Sequence, residues 1–391
     1  MKIAHLADLH LGYRAYRRTN AHGRNVREAD VAQAFEQAID ALIALRPDLV
    51  LLAGDIVHTV RPSNTVVAHA FRQLSRLRKG LERVPIVIIA GNHDSPRTED
   101  TGNLLLLFQE IPGVVAVTHA RQQVHIEPLD ATVLCVPHNA IPGVHRLPLE
   151  PDGNASTNIL MLHGTVVGAQ ADEKLRLVAE HGGQPIEDRM IAPERWDYIA
   201  LGHYHVATAL APNMWYAGGL ERTSTNIWME TGPKGFVVYD TETRIARFHA
   251  VPTRPMVDLP AIDAHGLSIA EIDRRVRDAV EGIEGGIEGK LVRQVVVNLP
   301  RHLVRQLDHA RLREYRAAAL HFQLDVRPPR RLLRERLPLV RAGTSPGRTL
   351  EEEVADWFCN RYRPASADVD PDRLLGLARE YLEAPASDLE A

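Results

Sequence analysis

The stretch Ile3-Ala4-His5-Leu6-Ala7-Asp8-Leu9-His10-Leu11-Gly12 opens the chain with a short apolar run that stops at a carboxylate and, two residues on, an imidazole. Short runs of β-branched and leucine-rich residues read as buried strands, so residues 3–7 are expected to form a strand whose carboxyl end carries Asp8 and His10. The theme recurs along the first 250 residues. Run 49–53 ends at Gly54 and Asp55, 86–90 at Gly91, Asn92 and His93, 159–162 at His163, and 198–201 at Gly202 and His203. Five strand ends that each finish on a ligand-type residue can converge on one sheet edge, where the sheet holds the roots of otherwise variable loops. Between the runs, residues 30–45 (apolar at Val31, Ala34, Phe35, Ile39, Leu42 and Ile43) and 65–77 have helical periodicity and would cover the sheet. The expected fold class is a layered α/β domain.

The residues at these strand ends form a chemical inventory. They are Asp8 and His10 in a DxH pattern, Asp55 and His58 in GDxxH, Asn92, His93 and Asp94 in GNHD, His163 alone, and His203 and His205 in GHxH. Two divalent ions held about 3.5–4 Å apart need roughly three or four protein ligands each and one carboxylate able to bridge them, and this set supplies that number. In an extended segment alternate residues share a face, so DxH and HxH each aim two ligands the same way. The mixture of oxygen and nitrogen donors without thiolate favours Mn2+, Fe or Zn2+ over a structural zinc or an all-oxygen Ca2+ site. The only cysteines, Cys135 and Cys359, are far apart and form no CxxC pair, which indicates neither a disulfide framework nor a thiolate site. His5, His119, His138 and His249 lack ligand-type neighbours and read as packing or surface residues.

In this order the five motifs resemble the calcineurin-like metallophosphoesterase superfamily. The opening 4–12, the block 54–58 and Gly219-Leu220-Glu221-Arg222 resemble, within it, the SbcD-type nucleases of DNA double-strand-break repair. The resemblance covers the first 250 residues and implies an α-β-β-α sandwich. It implies one metal on Asp8, His10, Asp55 and His205 and another on Asp55, Asn92, His163 and His203, with Asp55 as the bridge and Mn2+ as the expected ion. It further implies that His93 serves as general acid with Asp94 orienting its ring, and that His58 assists on the substrate side. Glu221 and Arg222 are near-site candidates. The activity implied is 3′ to 5′ exonuclease and single-strand endonuclease cleavage of DNA. The partners implied are DNA, an SMC-like ABC ATPase of SbcC type and a second copy of the chain, with the apolar patch at 104–108 and Ile111 resembling the family's dimer-forming helices. Two other readings use the same motifs: a phosphatase or cyclic-nucleotide phosphodiesterase, and a DNA-tethering subunit in which binding matters more than hydrolysis.

Length and charge organise the remainder. A chain of 391 residues suggests two to three domains. The sequence Pro252-Thr253-Arg254-Pro255-Met256 breaks the strand theme, which places the catalytic domain at 1–255 and a small α+β unit at 256–340, similar to the family's capping module in position, length and element order, so that the resemblance implies a capping and DNA-binding domain. That unit has helical patterns at 269–280 and 307–320, a glycine-rich turn at 284–289 and a strand at 291–298. Residues 301–340 hold ten arginines and a local balance of +6, a candidate phosphate-contacting region, whereas 341–391 have a balance of −5, within a chain whose net charge is −4. After a linker at 343–347, helices at 350–362 and 371–382 separated by a turn at 364–370 form a helical C-terminal tail, placed at 345–391, through which the ATPase is expected to bind at Trp357, Phe358 and Tyr362. Tyr13, Arg14, Tyr16, Arg17 and Arg18, just past the first ligands, mix cations with aromatics in a manner suited to strand contact and base stacking. No apolar run approaches the ~18 residues of a membrane span, and the N-terminus lacks the apolar core of a secretory signal. A cytoplasmic location is therefore expected, and the resemblance implies association with the nucleoid.

Overall fold

In strand β1, Lys2–Leu6, Ile3 faces one buried surface and Ala4 and Leu6 the other, the arrangement required of a strand covered on both sides. The computed structural model describes residues 1–96, 102–144, 148–168, 183–329, 356–357, 370 and 373–377. β1 lies in a six-stranded sheet with Leu49–Ala53 (β2), Ile86–Ile89 (β3), Val114–Val117 (β4), Gly235–Asp240 (β13) and Ile245–Ala250 (β14), in the order β14-β13-β1-β2-β3-β4. β1 to β4 run parallel, and β13 closes antiparallel on β1. A second six-stranded sheet holds Gln122–Ile126 (β5), Ala131–Val136 (β6), Thr157–His163 (β7), Tyr198–Gly202 (β10), Thr208–Ala211 (β11) and Met214–Tyr216 (β12), in the order β11-β12-β10-β7-β6-β5. A small ribbon pairs Thr165–Val167 (β8) with Pro185–Glu187 (β9).

The two large sheets stack face to face. Ile3, Leu49, Leu51, Val87 and Ile89 from the first meet Val133, Ile159, Met161 and Ala200 from the second in one dry layer. The outer face of the first sheet is covered by two helices, Val26–Leu45 (α1) and Asn64–Gly80 (α2). α1 begins earlier than its apolar stripe suggests, because Asn25 accepts hydrogen bonds from the Arg27 and Glu28 amides and caps the helix upstream. The outer face of the second sheet packs, among the described residues, on short helical turns such as His138–Gly143 and Asp188–Ile191 and on Trp196. The layering is that of the expected α-β-β-α sandwich. The expected helix-like patch at 104–108 is a 3-10 helix, Leu104–Glu110, with Leu105 and Phe108 buried and Leu106 and Leu107 45% and 41% exposed.

Beyond the coil at 251–255 the chain builds a three-stranded parallel sheet from Met256–Asp263 (β15), Leu291–Val297 (β16) and His321–Arg327 (β17). Helices Ile269–Glu281 (α3) and His309–Ala318 (α4) pack on it through Ile272, Val276, Val280, Leu312 and Tyr315. Asp308 caps α4 by accepting from the Arg311 amide, so the helix is shorter than the expected 307–320. Of the tail, 356–357 and 373–377 are helical, and Trp357 is 44% exposed. The remainder of the expected tail helices, the linker and residues 330–340 of the arginine-rich stretch lie outside the described residues.

One histidine sits between the sheets. His5 is fully buried, with Nδ1 2.9 Å from Tyr198 Oη, and burial depresses its pKa from 6.5 to about 3, with Leu201 partly opposing. The unfolded chain therefore takes the proton first. The contribution of neutral His5 is complete above pH 6.5 and is lost as pH falls toward the folded value, at about 1.4 kcal/mol per pH unit. His5→Gln is expected to flatten the acid limb of stability by about 2–3 kcal/mol between neutral pH and about pH 4.5. Denaturant melts at the two pH values measure it, and equal slopes in variant and wild type would exclude this assignment.

Candidate dinuclear metal centre

The loops after β1, β2, β3, β7 and β10 meet at one edge of the sandwich, in unusual backbone conformations. Asp8, His10 and Asp55 have φ of 53°, 46° and 54°, and His203 has φ of 111°. Non-glycine residues persist there only where surrounding contacts over-determine them. Those contacts are visible: the Asp8, His10 and Leu11 amides donate to the Gly54, Asp55 and Ile56 carbonyls at 3.0, 2.9 and 3.0 Å. The His203 amide donates to Asp8 Oδ1 at 2.9 Å, and the His93 amide to Asp55 Oδ1 at 2.8 Å. The backbones approach too closely for a side chain at two glycines. A Cβ on Gly91 would lie 2.1 Å from Asp55 Oδ1, and one on Gly202 2.0 Å from the Ala53 carbonyl oxygen.

This framework brings together all seven residues expected as ligands. Asp8, His10 and His205 form one buried group and Asp55, His163 and His203 another, with the ligand atoms of each within 4.8 Å of one another. Asn92 Oδ1 joins the second group, 3.1 Å from His163 Nε2 and 3.2 Å from His203 Nδ1. Asp55 Oδ2 lies between the groups, 3.7 Å from His10 Nε2 and 3.3 Å from His163 Nε2, and is buried without a hydrogen bond among the described residues. An orphaned carboxylate oxygen flanked by two imidazoles, with His10 Nε2 and His205 Nε2 only 3.1 Å apart, is a donor set that a pair of cations satisfies.

Electrostatics point the same way. Burial drives Asp8 up to about 7 against the pull of His163 and His205. Burial and then neighbouring imidazoles, His205 and His163 respectively, hold His10 well below its ordinary value and His203 at about 3. Burial also opposes the charge on Asp55, yet His163 and its fellow histidines keep that carboxylate well below the usual range. Burial lowers His163 too, but Asp55 outweighs it and raises the imidazole to about 9. The site concentrates buried donors whose charges are poorly matched among themselves, and cations relieve that mismatch.

Outer groups aim the ligands. His163 Nδ1 donates to the Ala53 carbonyl at 2.8 Å, which turns Nε2 toward the site. His205 Nδ1 lies 3.4 Å from Thr223 Oγ1 and 3.8 Å from Glu230 Oε1. Glu230 is buried, pairs with Lys234 and accepts from the Ser224 amide and hydroxyl at 3.0 and 2.6 Å, while Lys234 Nζ donates to the His205 carbonyl at 2.6 Å. Burial opposes the charge on Glu230, but Lys234 keeps it well below the usual range. Sequence reading missed this pair, because it spans the non-helical segment Glu230-Thr231-Gly232-Pro233-Lys234, where no periodicity marks the two charges as partners.

On the open side, His93 Nδ1 donates to the His58 carbonyl at 2.7 Å, and the two rings stack at 5.1 Å. The expected role of Asp94 as the orienter of His93 is therefore corrected. The Asp94 carboxylate accepts the backbone amides of Ile56, Val57 and Gly91 at 3.1, 2.9 and 2.9 Å, pinning the Asp55 loop to the Asn92 loop. Asp94→Asn places an amide NH2 against one or more backbone donors and is expected to cost about 1–3 kcal/mol. Thermal melts in chelator measure that cost, and an unchanged midpoint would refute the clamp. Glu221 and Arg222 also serve the framework. Glu221 accepts from the Arg222 and Arg254 amides at 2.8 and 3.1 Å and pairs with Arg27 at 3.2 Å, and Arg222 donates to the Glu230 carbonyl at 3.0 Å.

The third sheet overhangs the site. Tyr16 stacks on His321 at 4.0 Å, Arg18 donates to the Arg316 carbonyl at 2.9 Å at the end of α4, and Trp228 Nε1 donates to Gln323 Oε1 at 2.7 Å. Tyr16 and Arg18, expected to contact a strand, are thus engaged in holding this sheet in place. A cleft of ≈ 440 Å³ remains, lined by Tyr13, His58, His93, Trp228, His321 and Gln323 among others. His138, expected as a packing or surface residue, is buried at the edge of the site with its ring 6.4 Å from that of His163.

Two groups of His and Asp donors sharing a carboxylate at the strand ends of a double-sheet sandwich define a metallophosphoesterase. Residues 1–207 match the family described as calcineurin-like phosphoesterase, over half of the chain, and the chain belongs to that family. It is 29% identical over 212 residues to the DNA double-strand break repair protein Mre11 of Methanococcus maripaludis, covering 52% of each chain. It is 26% identical over 219 residues to the Mre11 of Methanopyrus kandleri, covering 53% of this chain and 45% of that one. A shorter match, 36% over 94 residues, links it to Mre11 of Archaeoglobus fulgidus, covering 24% of this chain and 19% of that one. The chain spans about half the length of the curated relatives it matches. A solved structure from Thermus thermophilus aligns with 64% of this chain and 99% of its own at 13% identity and a TM-score of 0.38, too remote to carry an argument. No helix among the described residues is long and apolar enough to cross a membrane.

Proposed function

We propose that this chain is a Mn2+-dependent DNA nuclease of double-strand-break repair, with 3′ to 5′ exonuclease and single-strand endonuclease activity. The observation that carries this reading is the orphaned Asp55 Oδ2 between two ligand groups, next to a cleft that His93 lines and the third sheet overhangs. Asp8, His10 and His205 with Asp55 would hold one ion, and Asn92, His163 and His203 with Asp55 the other. When bound, the two ions supply Lewis acidity toward phosphate oxygens and lower the pKa of water enough for a nucleophile to form near neutral pH. His93 has its Nδ1 proton engaged by the His58 carbonyl, so as general acid it would act in the doubly protonated form, giving its Nε2 proton to the departing sugar oxygen and remaining as the neutral Nδ1–H imidazole. His58 acts as a positioning residue, through its carbonyl and its stacked ring. Relatives that are double-strand break repair proteins support DNA as the substrate.

The same reading assigns an SMC-like ABC ATPase of SbcC type to the C-terminal helices and a cytoplasmic, nucleoid-associated setting. A homodimer would form through the apolar surface of Val67, Phe71 and Leu107 on α2 and the adjoining 3-10 helix. Cleavage of 3′- and 5′-labelled duplex and single strands with Mn2+, with and without chelator, tests the function. Metal-dependent shortening from the 3′ end is expected. Hydrolysis of an aryl phosphodiester without any DNA cleavage, even with ATPase partner and ATP, would leave a phosphatase or cyclic-nucleotide phosphodiesterase. DNA binding without hydrolysis of either substrate would leave a tethering subunit.

A further inference from the structure

The cations and aromatics of residues 13–18 are divided by the fold. Tyr16 and Arg18 turn to the third sheet, whereas Arg14 turns to a second cavity of ≈ 290 Å³, lined by Gly12, Arg14, His58, Arg61 and Ser63 among others. His58 lines this cavity and the catalytic cleft alike, so the two are neighbours across one imidazole. We propose that this second cavity is a subsite for the phosphodiester that neighbours the scissile one in a DNA strand, gripped by Arg14 and Arg61. The proposal rests on the nuclease reading above.

Three features give the cavity its chemistry. First, Glu28, the one carboxylate lining it among the described residues, is outnumbered: it is buried and paired with both Arg14 Nε and Arg24 Nε. The Arg14 side chain is 63% exposed, and its terminal nitrogens are left for an anion. Second, Arg61 is exposed and makes no hydrogen bond or ion pair among the described residues. Guanidinium forks match phosphate oxygens in pairs, which suits two of them facing one cavity. Third, α2 starts at the rim with no acidic residue in its first turn, and the Ser63 hydroxyl pairs with Thr65 Oγ1 at 2.9 Å and does not cap the helix. The positive end of the helix therefore adds to the arginines and is not neutralised by a side chain. Gly12 keeps the space open, since it has φ of +92° and a Cβ there would press on Val66 at 3.1 Å. Among the described residues no aromatic ring but His58 lines the cavity, so it fits a strand's backbone and not its bases.

The test is the selectivity of the metal-loaded full chain for an oligonucleotide over an aryl phosphodiester, which carries no flanking phosphate. It is paired with fluorescence anisotropy of the same single strand in chelator across a salt series. Arg61→Ala is expected to lower the ratio of kcat/KM values for the two substrates about tenfold and to weaken oligonucleotide binding similarly. It should also flatten the logarithmic salt dependence by about 0.7. Arg14→Ala should act in the same direction. Arg83, exposed at the amino end of β3 and thus on the opposite edge of the sheet, is the control, and Arg83→Ala should keep the wild-type ratio and slope. A wild-type ratio and slope in Arg61→Ala would overturn the subsite and leave the nuclease reading standing. Equal losses on both substrates would overturn it too, because they would place the arginine in the reaction itself. If wild type hydrolyses only the aryl ester, the nuclease reading fails, and the anisotropy series alone decides whether these arginines hold a strand.

Discussion

His93→Ala is expected to lower kcat for DNA by about 10²–10⁴, the usual contribution of a positioned general acid, while metal content stays at the wild-type level. The separation follows from geometry. His93 lies beside His10, with ring centroids 4.7 Å apart, but its own Nδ1 is committed to the His58 carbonyl, and the backbone amide that serves Asp55 survives the substitution. Two further measurements separate proton donation from positioning. An aryl ester with a weakly basic leaving group needs little protonation, so the loss on it should be much smaller than on DNA. His93→Asn can keep a donor near the His58 carbonyl but has no second ring nitrogen, and should be as slow on DNA as alanine. Equal losses on both substrates, or rescue by asparagine, would reduce His93 to a structural role.

Asp55→Asn is expected to lower metal content as well as activity. The carboxylate does two jobs: Oδ1 accepts the His93 amide at 2.8 Å, and Oδ2 lies between His10 and His163 with no hydrogen bond. Asparagine can keep the first contact but presents an NH2 to imidazole nitrogens where the proposed bridge would need an anion. Metal content after dialysis against Mn2+ should fall from two ions per chain to fewer than one. The ions supply several kcal/mol of transition-state stabilisation, so activity should drop by at least about 10³-fold at 1.36 kcal/mol per decade. Mn2+ should also raise the melting temperature of wild type, because a ligand of the folded state alone stabilises it, and this rise should vanish in the variant. Retention of two ions by Asp55→Asn would remove Asp55 from the bridge.

Much of this was legible in the sequence because it depends on local pattern. The central strands are apolar on both faces, so runs such as 49–53 and 86–89 could be read directly, and each ligand stands at the end of such a run. What was not legible depends on partners distant in sequence or on main-chain atoms. Arg254 grips Asp30 across 224 positions, with Arg27 and Glu221 beside them, and nothing local marks that network as one unit. Arg18 and Tyr16 have the composition of a strand-binding loop, yet their carbonyl and imidazole partners come from residues 316–321. His93 is oriented by a backbone carbonyl, so the adjacent Asp94 was the natural but mistaken choice. Asn25 was overlooked as a cap because the apolar stripe of α1 starts only at Val31.

The most direct measurement is anomalous scattering at the manganese edge from crystals of the Mn2+-loaded chain. The account expects two peaks about 3.5–4 Å apart, one beside Asp8, His10 and His205, the other beside Asn92, His163 and His203, with Asp55 touching both. A single peak at full occupancy, or two peaks with Asp55 bound to only one, would contradict the bridged centre on which the proposed chemistry depends.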